Sequence, residues 1–197
     1  MLDRPNDSLS ARDIAYHMHP FTNARRLESE GPFVITRGNG IHIYDEQGRD
    51  YIDALAGLWC ASLGFSEKRL AEAAYKQMLE LPYASTFGQR SHPTVIELAE
   101  KLISLMPVRM SKVFFNNSGS EANDSAAKLV WYYNNAIGRP RKKKIIGRMK
   151  GYHGITVASG SLCGLPYVHK DFDLPIPSTH PCIECGESTN DGRRRFL

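Results

Sequence analysis

Lys112-Val-Phe-Phe-Asn-Asn-Ser-Gly-Ser-Glu-Ala-Asn-Asp-Ser-Ala-Ala-Lys-Leu129 decides how the rest of the chain is read. Val113-Phe114-Phe115 is a short apolar run of the kind a buried strand uses. Asn116-Asn117-Ser118-Gly119 then turns polar and small. From Ser120 helix formers take over, with Ala122, Ala126, Leu129 and Val130 recurring at three- and four-residue spacing. Strand, small-residue turn, helix is how an α/β protein offers backbone N–H groups and a positive helix end to an anion. Ser118-Gly119-Ser120 is therefore a candidate phosphate cup. The same Ser118-Gly-Ser-Glu121 is also a capping box, which needs no ligand, and spacing alone leaves both readings open.

Composition narrows the classes. With 197 residues, 42% hydrophobic and 23% charged, the chain has the makeup of a globular protein. A formal charge of +4 is too mild to argue for nucleic acid. No apolar run approaches the roughly 18 residues of a membrane span, and Met1-Leu-Asp-Arg-Pro-Asn-Asp7 lacks the basic start and apolar core of a secretory signal. Cys60, Cys163, Cys182 and Cys185 are too few and too unevenly placed for a disulfide scaffold, so a reducing cytoplasm is expected.

Upstream of the deciding stretch, Arg12 to Tyr16 is read as a helical turn and Tyr16-His17-Met18-His19-Pro20 as an exposed loop. The two histidines lack a third ligand nearby in sequence, which sets a metal aside. Phe33–Thr36, Ile41–Tyr44 and Tyr51–Asp53 read as a three-stranded meander, turning at Arg37-Gly-Asn-Gly40 and Asp45-Glu-Gln-Gly-Arg49. Ala54-Leu-Ala-Gly-Leu-Trp-Cys-Ala-Ser-Leu-Gly-Phe65 has no clean period; Leu58 and Trp59 either wall a pocket or simply fill the core. Ser66 is placed as the cap of a helix carrying Leu70, Ala73, Ala74, Met78 and Leu81. Pro93 opens another, with Val95, Ile96, Leu98, Ala99, Leu102, Ile103 and Met106 on its apolar face.

Downstream, Gly138 is expected to close the central helix. Arg139-Pro-Arg-Lys-Lys-Lys144 has no interleaved aromatics and reads as a solvated loop feeding a strand at about 144–149 rather than a nucleic-acid patch. That strand runs into Lys150-Gly-Tyr-His-Gly154, and a small-residue helix starts at Ile155. Alternating strands and helices favour a parallel α/β sheet. From Leu174 the chain is proline-rich and reads as irregular. Cys182 and Cys185 have the spacing of half a zinc knuckle without a second pair. Two core strands make a narrow sheet, which points to an incomplete domain.

In an open parallel sheet the loops after successive strands converge on one edge. A cup at Ser118–Ser120, an aromatic–imidazole pair at Tyr152-His153 and an apolar loop at Leu58-Trp59 suit a ligand with a phosphate and a flat ring, such as pyridoxal phosphate. Asn117-Ser-Gly-Ser-Glu-Ala-Asn-Asp124 followed by Lys150-Gly-Tyr-His-Gly154 closely resembles the class III pyridoxal-phosphate-dependent aminotransferases, in particular the ω-transaminase branch. Tyr16-His-Met-His-Pro-Phe21, Asp45-Glu-Gln-Gly-Arg-Asp-Tyr-Ile-Asp-Ala54, Ala56-Gly-Leu-Trp-Cys60 and Ser85-Thr-Phe87 extend the likeness to roughly residues 12–185.

The resemblance implies an α/β, fold-type I architecture. Residues 1–62 would be the N-terminal segment of a small domain with the antiparallel meander. Residues 63–197 would begin a large domain with a mostly parallel sheet, here incomplete. It implies pyridoxal 5'-phosphate held by Ser118, Gly119 and Ser120, with Tyr152 stacked on its ring and His153 supporting that loop. Leu58 and Trp59 would face the amino donor, and Phe87 would arrive from a partner subunit of a homodimer. The substrates would be a small-molecule amino donor, an ω-amino acid or amine, and an α-keto acid such as pyruvate, with no nucleic acid or membrane involved. The family's Schiff-base lysine, pyridinium aspartate and carboxylate-binding arginine are expected beyond Leu197. Arg193 to Arg195 do not match the arginine's context, so no catalytic residue is nominated, and the 197 residues are expected to lack turnover and dissolve poorly alone. A non-catalytic phosphate-binding module is the alternative, and a zinc-knuckle or nucleic-acid protein a more distant one.

Overall fold

Residues 7–176, and the backbone of 180–182, are described by a computed structural model of the chain. They fall into two compact units, one ending at His92 and one beginning at Pro93. The first opens with two short capped helices, α1 (Leu9–Tyr16) and α2 (Ala24–Glu30). Ser8 Oγ accepts from the Ala11 N–H and Asn23 Oδ1 from the Arg26 N–H, satisfying first-turn donors that have no partner inside the helix.

The meander follows as expected, with β1 (Ile35–Asn39), β2 (His42–Asp45) and β3 (Asp50–Ile52) antiparallel in that order. Its second turn is built around one side chain. Asp45, only 3% exposed, accepts from the N–H groups of Gln47 and Arg49, from Arg49 Nε at 2.7 Å and from Tyr51 Oη at 3.0 Å. Burial pushes its carboxyl up, but the hydrogen bonds from Arg49 and Tyr51 outweigh burial and hold it below the ordinary carboxylate value. A carboxyl with a lowered folded-state pKa stabilises the fold above the unfolded value, about 3.9, and ceases to do so as pH falls through the lower folded value. Asp45→Asn is accordingly expected to lower the urea midpoint at pH 7, with the gap from the parent closing below about pH 4. A gap constant from pH 7 to pH 3 would refute the ionic account.

After the meander, α3 (Ala56–Trp59) is a single left-handed turn, with φ of 47°, 61°, 60° and 72° along its four residues. Asp53 holds its entry, Oδ1 accepting from Leu55 N–H and Oδ2 from Gly57 N–H at 2.7 Å. The next helix, α4 (Lys68–Glu80), is capped by Glu67 rather than by Ser66 as the sequence suggested. Ser66 sits at φ 62° and donates its hydroxyl to the Gly38 carbonyl instead. Tertiary demand for that bond to the meander displaced the local capping preference.

The second unit begins with α5 (Pro93–Leu105), its proline in the first position. Val113-Phe114-Phe115, expected as a strand, is not one: no ladder pairs with it among the described residues, and an apolar run without a neighbour has nowhere to place its backbone groups. α6 (Gly119–Ala136) starts and ends as read, with Gly138 at φ 74° just beyond it. The basic run folds back on this helix: Trp131 Nε1 donates to the Lys143 carbonyl, and Lys143 Nζ donates to Trp131 O and Asn135 Oδ1. β4 (Ile146–Arg148) follows, then α7 (Val157–Ser161) and α8 (Pro166–His169).

The proline-rich segment contains β5 (His180–Cys182), parallel to β4. Read as irregular, it became a strand because β4 supplies a ladder; proline is tolerated at such an edge. The zinc-knuckle reading rests on the side chain of Cys182 and on Cys185, which lie outside the described residues, as do Arg193 to Arg195.

The core of this unit is made of small residues. Ser159, Gly160, Ser161, Leu162, Cys163, Gly164 and Val168 are buried. Their size lets α7 and the turn after it press against the β4 backbone, where a Cβ on Gly147 or Gly164 would collide with main-chain atoms. The long helices bury none of their large apolar side chains completely: Leu70, Met78 and Leu79 of α4 and Ile96, Leu98 and Leu105 of α5 are exposed. No helix among the described residues is long and apolar enough to cross a membrane.

Candidate active site

The start of α6 forms the capping box read from its sequence. Ser118 Oγ accepts from the Glu121 N–H at 3.1 Å, while Glu121 Oε2 reaches back to the Asn117 N–H at 2.9 Å. That is a capping box with its return bond moved one residue outward. It leaves two first-turn donors over, the N–H groups of Gly119 and Ser120, which take no partner among the described residues. A Cβ built on Gly119 would meet nothing within 4 Å. Two N–H groups without a partner among the described residues, an open approach and the positive end of an 18-residue helix are features that suit a dianion.

Ser120 contributes twice. Its Oγ accepts from the Ile155 N–H at 3.0 Å, which leaves the hydroxyl hydrogen to donate elsewhere. That bond is one of three ties between the first turns of α6 and the loop after β4. Asn123 Nδ2 donates to the His153 carbonyl at 2.6 Å. Asp124 Oδ1 accepts from Thr156 Oγ1 at 2.8 Å and from the Ser159 N–H at 2.9 Å. Positions 120, 123 and 124 lie on one helix face by the three- and four-residue rule, so α6 presents a polar edge to the loop.

The loop itself is clamped from behind. Lys150 N–H donates to Gly164 O, and Gly164 N–H to Gly151 O. Cys163 Sγ, fully buried, accepts from the His153 N–H and donates to the Gly154 carbonyl. Within that grip Tyr152 is 58% exposed, its ring free to receive a flat partner. His153 is half-buried, and its Nε2 accepts from the Arg148 N–H of its own turn. The structure thus brings Ser118, Gly119, Ser120, Tyr152 and His153 together within one unit.

Leu58, Trp59 and Phe87 belong to the other unit. At 72%, 79% and 85% exposed, none of the three is core. Leu58 and Trp59 stand on the left-handed turn, a conformation that costs non-glycine residues roughly 1–2 kcal/mol each. Such strain concentrates at binding sites. The sequence carried no sign of it beyond Gly57.

Sequence reading missed three residues. Asp124 and Cys163, which position the loop, have no local signature, since their partners lie 32 and 10 residues away. The third is Asp13, a carboxylate between His17 and His19, where no third ligand had been expected.

The sequence profile of the Aminotransferase class-III family matches residues 24–189. The γ-aminobutyrate transaminase 1, mitochondrial, of Solanum lycopersicum is 52% identical over 159 residues, covering 80% of this chain and 31% of that protein. The crystal structure of an omega transaminase from Pseudomonas jessenii in complex with PMP superposes with a TM-score of 0.86 at 58% identity, covering 89% of this chain and 39% of that one. A thermostable omega transaminase variant with tryptophan replaced by glycine, engineered for asymmetric synthesis of enantiopure bulky amines, matches with a TM-score of 0.86 at 57% identity, covering 87% and 38%. The chain thus spans about a third of the length of these relatives.

Proposed function

The chain belongs to the class-III aminotransferase family and has its α/β, fold-type I architecture; from that premise we propose that it is the N-terminal portion of a transaminase moving an amino group from an ω-amino acid or amine to an α-keto acid such as pyruvate. Pyridoxal 5'-phosphate is the cofactor of the family. When bound, its ring supplies an electron sink for charge developing on the donor carbon. The residues here do the holding. Gly119 and Ser120 receive the phosphate on two N–H groups and a hydroxyl, Ser118 fixes the helix start behind them, and Tyr152 covers one ring face while His153 braces its turn.

The observation that carries this reading is the pair of open N–H donors on a helix start tied by Ser120, Asn123 and Asp124 to the loop bearing Tyr152. One geometry then serves both the phosphate and the ring. The test compares pyridoxamine phosphate with pyridoxamine by calorimetry on the 197-residue chain, since neither ligand needs a lysine. The phosphate form is expected to bind at least about 30-fold tighter, from charge-assisted bonds of roughly 1.5–3 kcal/mol each. Equal affinities would remove the cup from the reading. Transaminase turnover by these 197 residues alone is expected to be absent.

Leu58 and Trp59 are proposed as the wall facing the amino donor, and Phe87 as a residue lent across a homodimer interface. Of the chain's two tryptophans, Trp131 is tied to Lys143, so Trp59 is the one that suits the position opened to bulky amines in the engineered relative. The uncovered apolar faces of α4 and α5 support association with a second copy. Residues 1–62 and 63–197 are proposed as parts of a small and a large domain, with the meander before that boundary and the cofactor loops after it, while the two compact units divide further along, between His92 and Pro93. The free thiols of Cys60 and Cys163 suit a reducing compartment, the cytoplasm in this reading.

A further inference from the structure

We infer that Asp13, His17 and His19, all in the first unit, form a binding site for a divalent transition-metal ion of the zinc class. Local geometry brings the three together. Asp13 and His17 are four residues apart at the end of α1, so they share a helix face, and the His17 N–H closes the helix on the Asp13 carbonyl at 2.8 Å. The chain then leaves extended, His17 lying at φ −114° and ψ 119°, and two-residue periodicity returns His19 to the same side. Met18 between them is 92% exposed.

The result is a carboxylate with an imidazole on each oxygen. His17 Nδ1 lies 3.0 Å from Asp13 Oδ1, and His19 Nε2 lies 2.6 Å from Oδ2. One donor atom from each of the three lies within 4.8 Å of the others. Asp13 and His19 are part-buried, at 21% and 25% side-chain exposure, while His17 at 61% leaves a way in. Two imidazoles and one carboxylate suit zinc, cobalt or nickel and not magnesium or calcium, which require oxygen ligands. Donors around a tetrahedral zinc at about 2.0–2.1 Å stand roughly 3.3 Å apart. Small side-chain adjustments from the present distances would bring the three donors to that spacing, with water as the fourth ligand.

The test uses the untagged 197-residue chain stripped with chelator, titrated with zinc against a chromophoric chelator and separately with cobalt followed by its visible absorption. One equivalent is expected to bind at low micromolar concentration or tighter, raising the melting temperature. His17→Gln with His19→Gln keeps hydrogen-bonding side chains near Asp13 but removes the imidazoles. This variant is expected to keep the metal-free melting temperature and lose at least tenfold in affinity, together with the melting shift. Asp13→Asn is expected to weaken binding likewise. Retention of the full equivalent by the double glutamine variant, or failure of the parent chain to bind at 100-fold excess of zinc, would overturn the site. Neither outcome bears on pyridoxamine phosphate binding, so this inference and the transaminase reading fail separately.

Discussion

Gly154→Ala is expected to abolish measurable pyridoxamine phosphate binding. Gly154 stands at φ 135°, where an L side chain is rarely found, and a Cβ there would collide with Ser159 Oγ and lie 2.7 Å from Ser120 Oγ. Ser120 is the residue whose oxygen anchors Ile155 and whose hydrogen is proposed to reach the phosphate. Ser159 is fully buried and cannot yield. The methyl therefore separates the loop from α6 and draws the Ser120 hydroxyl off its line. Backbone strain of about 1–3 kcal/mol and overpacking of similar size together exceed what the loop's hydrogen bonds can absorb. Calorimetry against the parent chain, with circular dichroism to confirm retained helix, reads the effect. Binding within threefold of the parent would mean that the cup and the loop are not geometrically linked.

Asp124→Ala should act on the same linkage from the other side. It leaves the Ser159 N–H and the Thr156 hydroxyl without their shared acceptor in a part-buried setting. Hydrogen bonds to a charged acceptor contribute roughly 1.5–3 kcal/mol each, so a loss of about 2–4 kcal/mol in unfolding free energy is expected. Asp124→Asn keeps one oxygen acceptor and should lose less than half of that. Ligand affinity should follow the same order. Urea unfolding of the three proteins separates the outcomes: equal losses for alanine and asparagine would mean that charge, not the shared oxygen, is what the loop needs.

Local chemistry explains why the capping box at the start of α6 was legible. Ser118, Gly119 and Glu121 act within one turn, and capping is written in adjacent letters. The meander was legible for the same reason, since alternation and turn residues are local. Val113–Phe115 and His180–Cys182 were not, because a strand is defined by its neighbour; among the described residues the apolar run has none and the proline-rich run has one. Ser66 failed as a cap because a distant carbonyl, Gly38 O, competed for its hydroxyl. Asp13 was passed over as a third donor because a helical turn followed by an extended step folds residues 13, 17 and 19 onto one side, which counting along the sequence does not reveal.

The left-handed turn at Ala56–Trp59 has a consequence for how this enzyme family's members can be redesigned. Positive φ makes glycine the cheaper residue at Leu58 and Trp59, yet the chain keeps bulk at both. Replacing either with glycine would relieve strain in the main chain, offset in part by the freedom glycine adds to the unfolded chain. With the proposed role of these two residues beside the amino donor, glycine at either is expected to enlarge the donor space at little cost in stability.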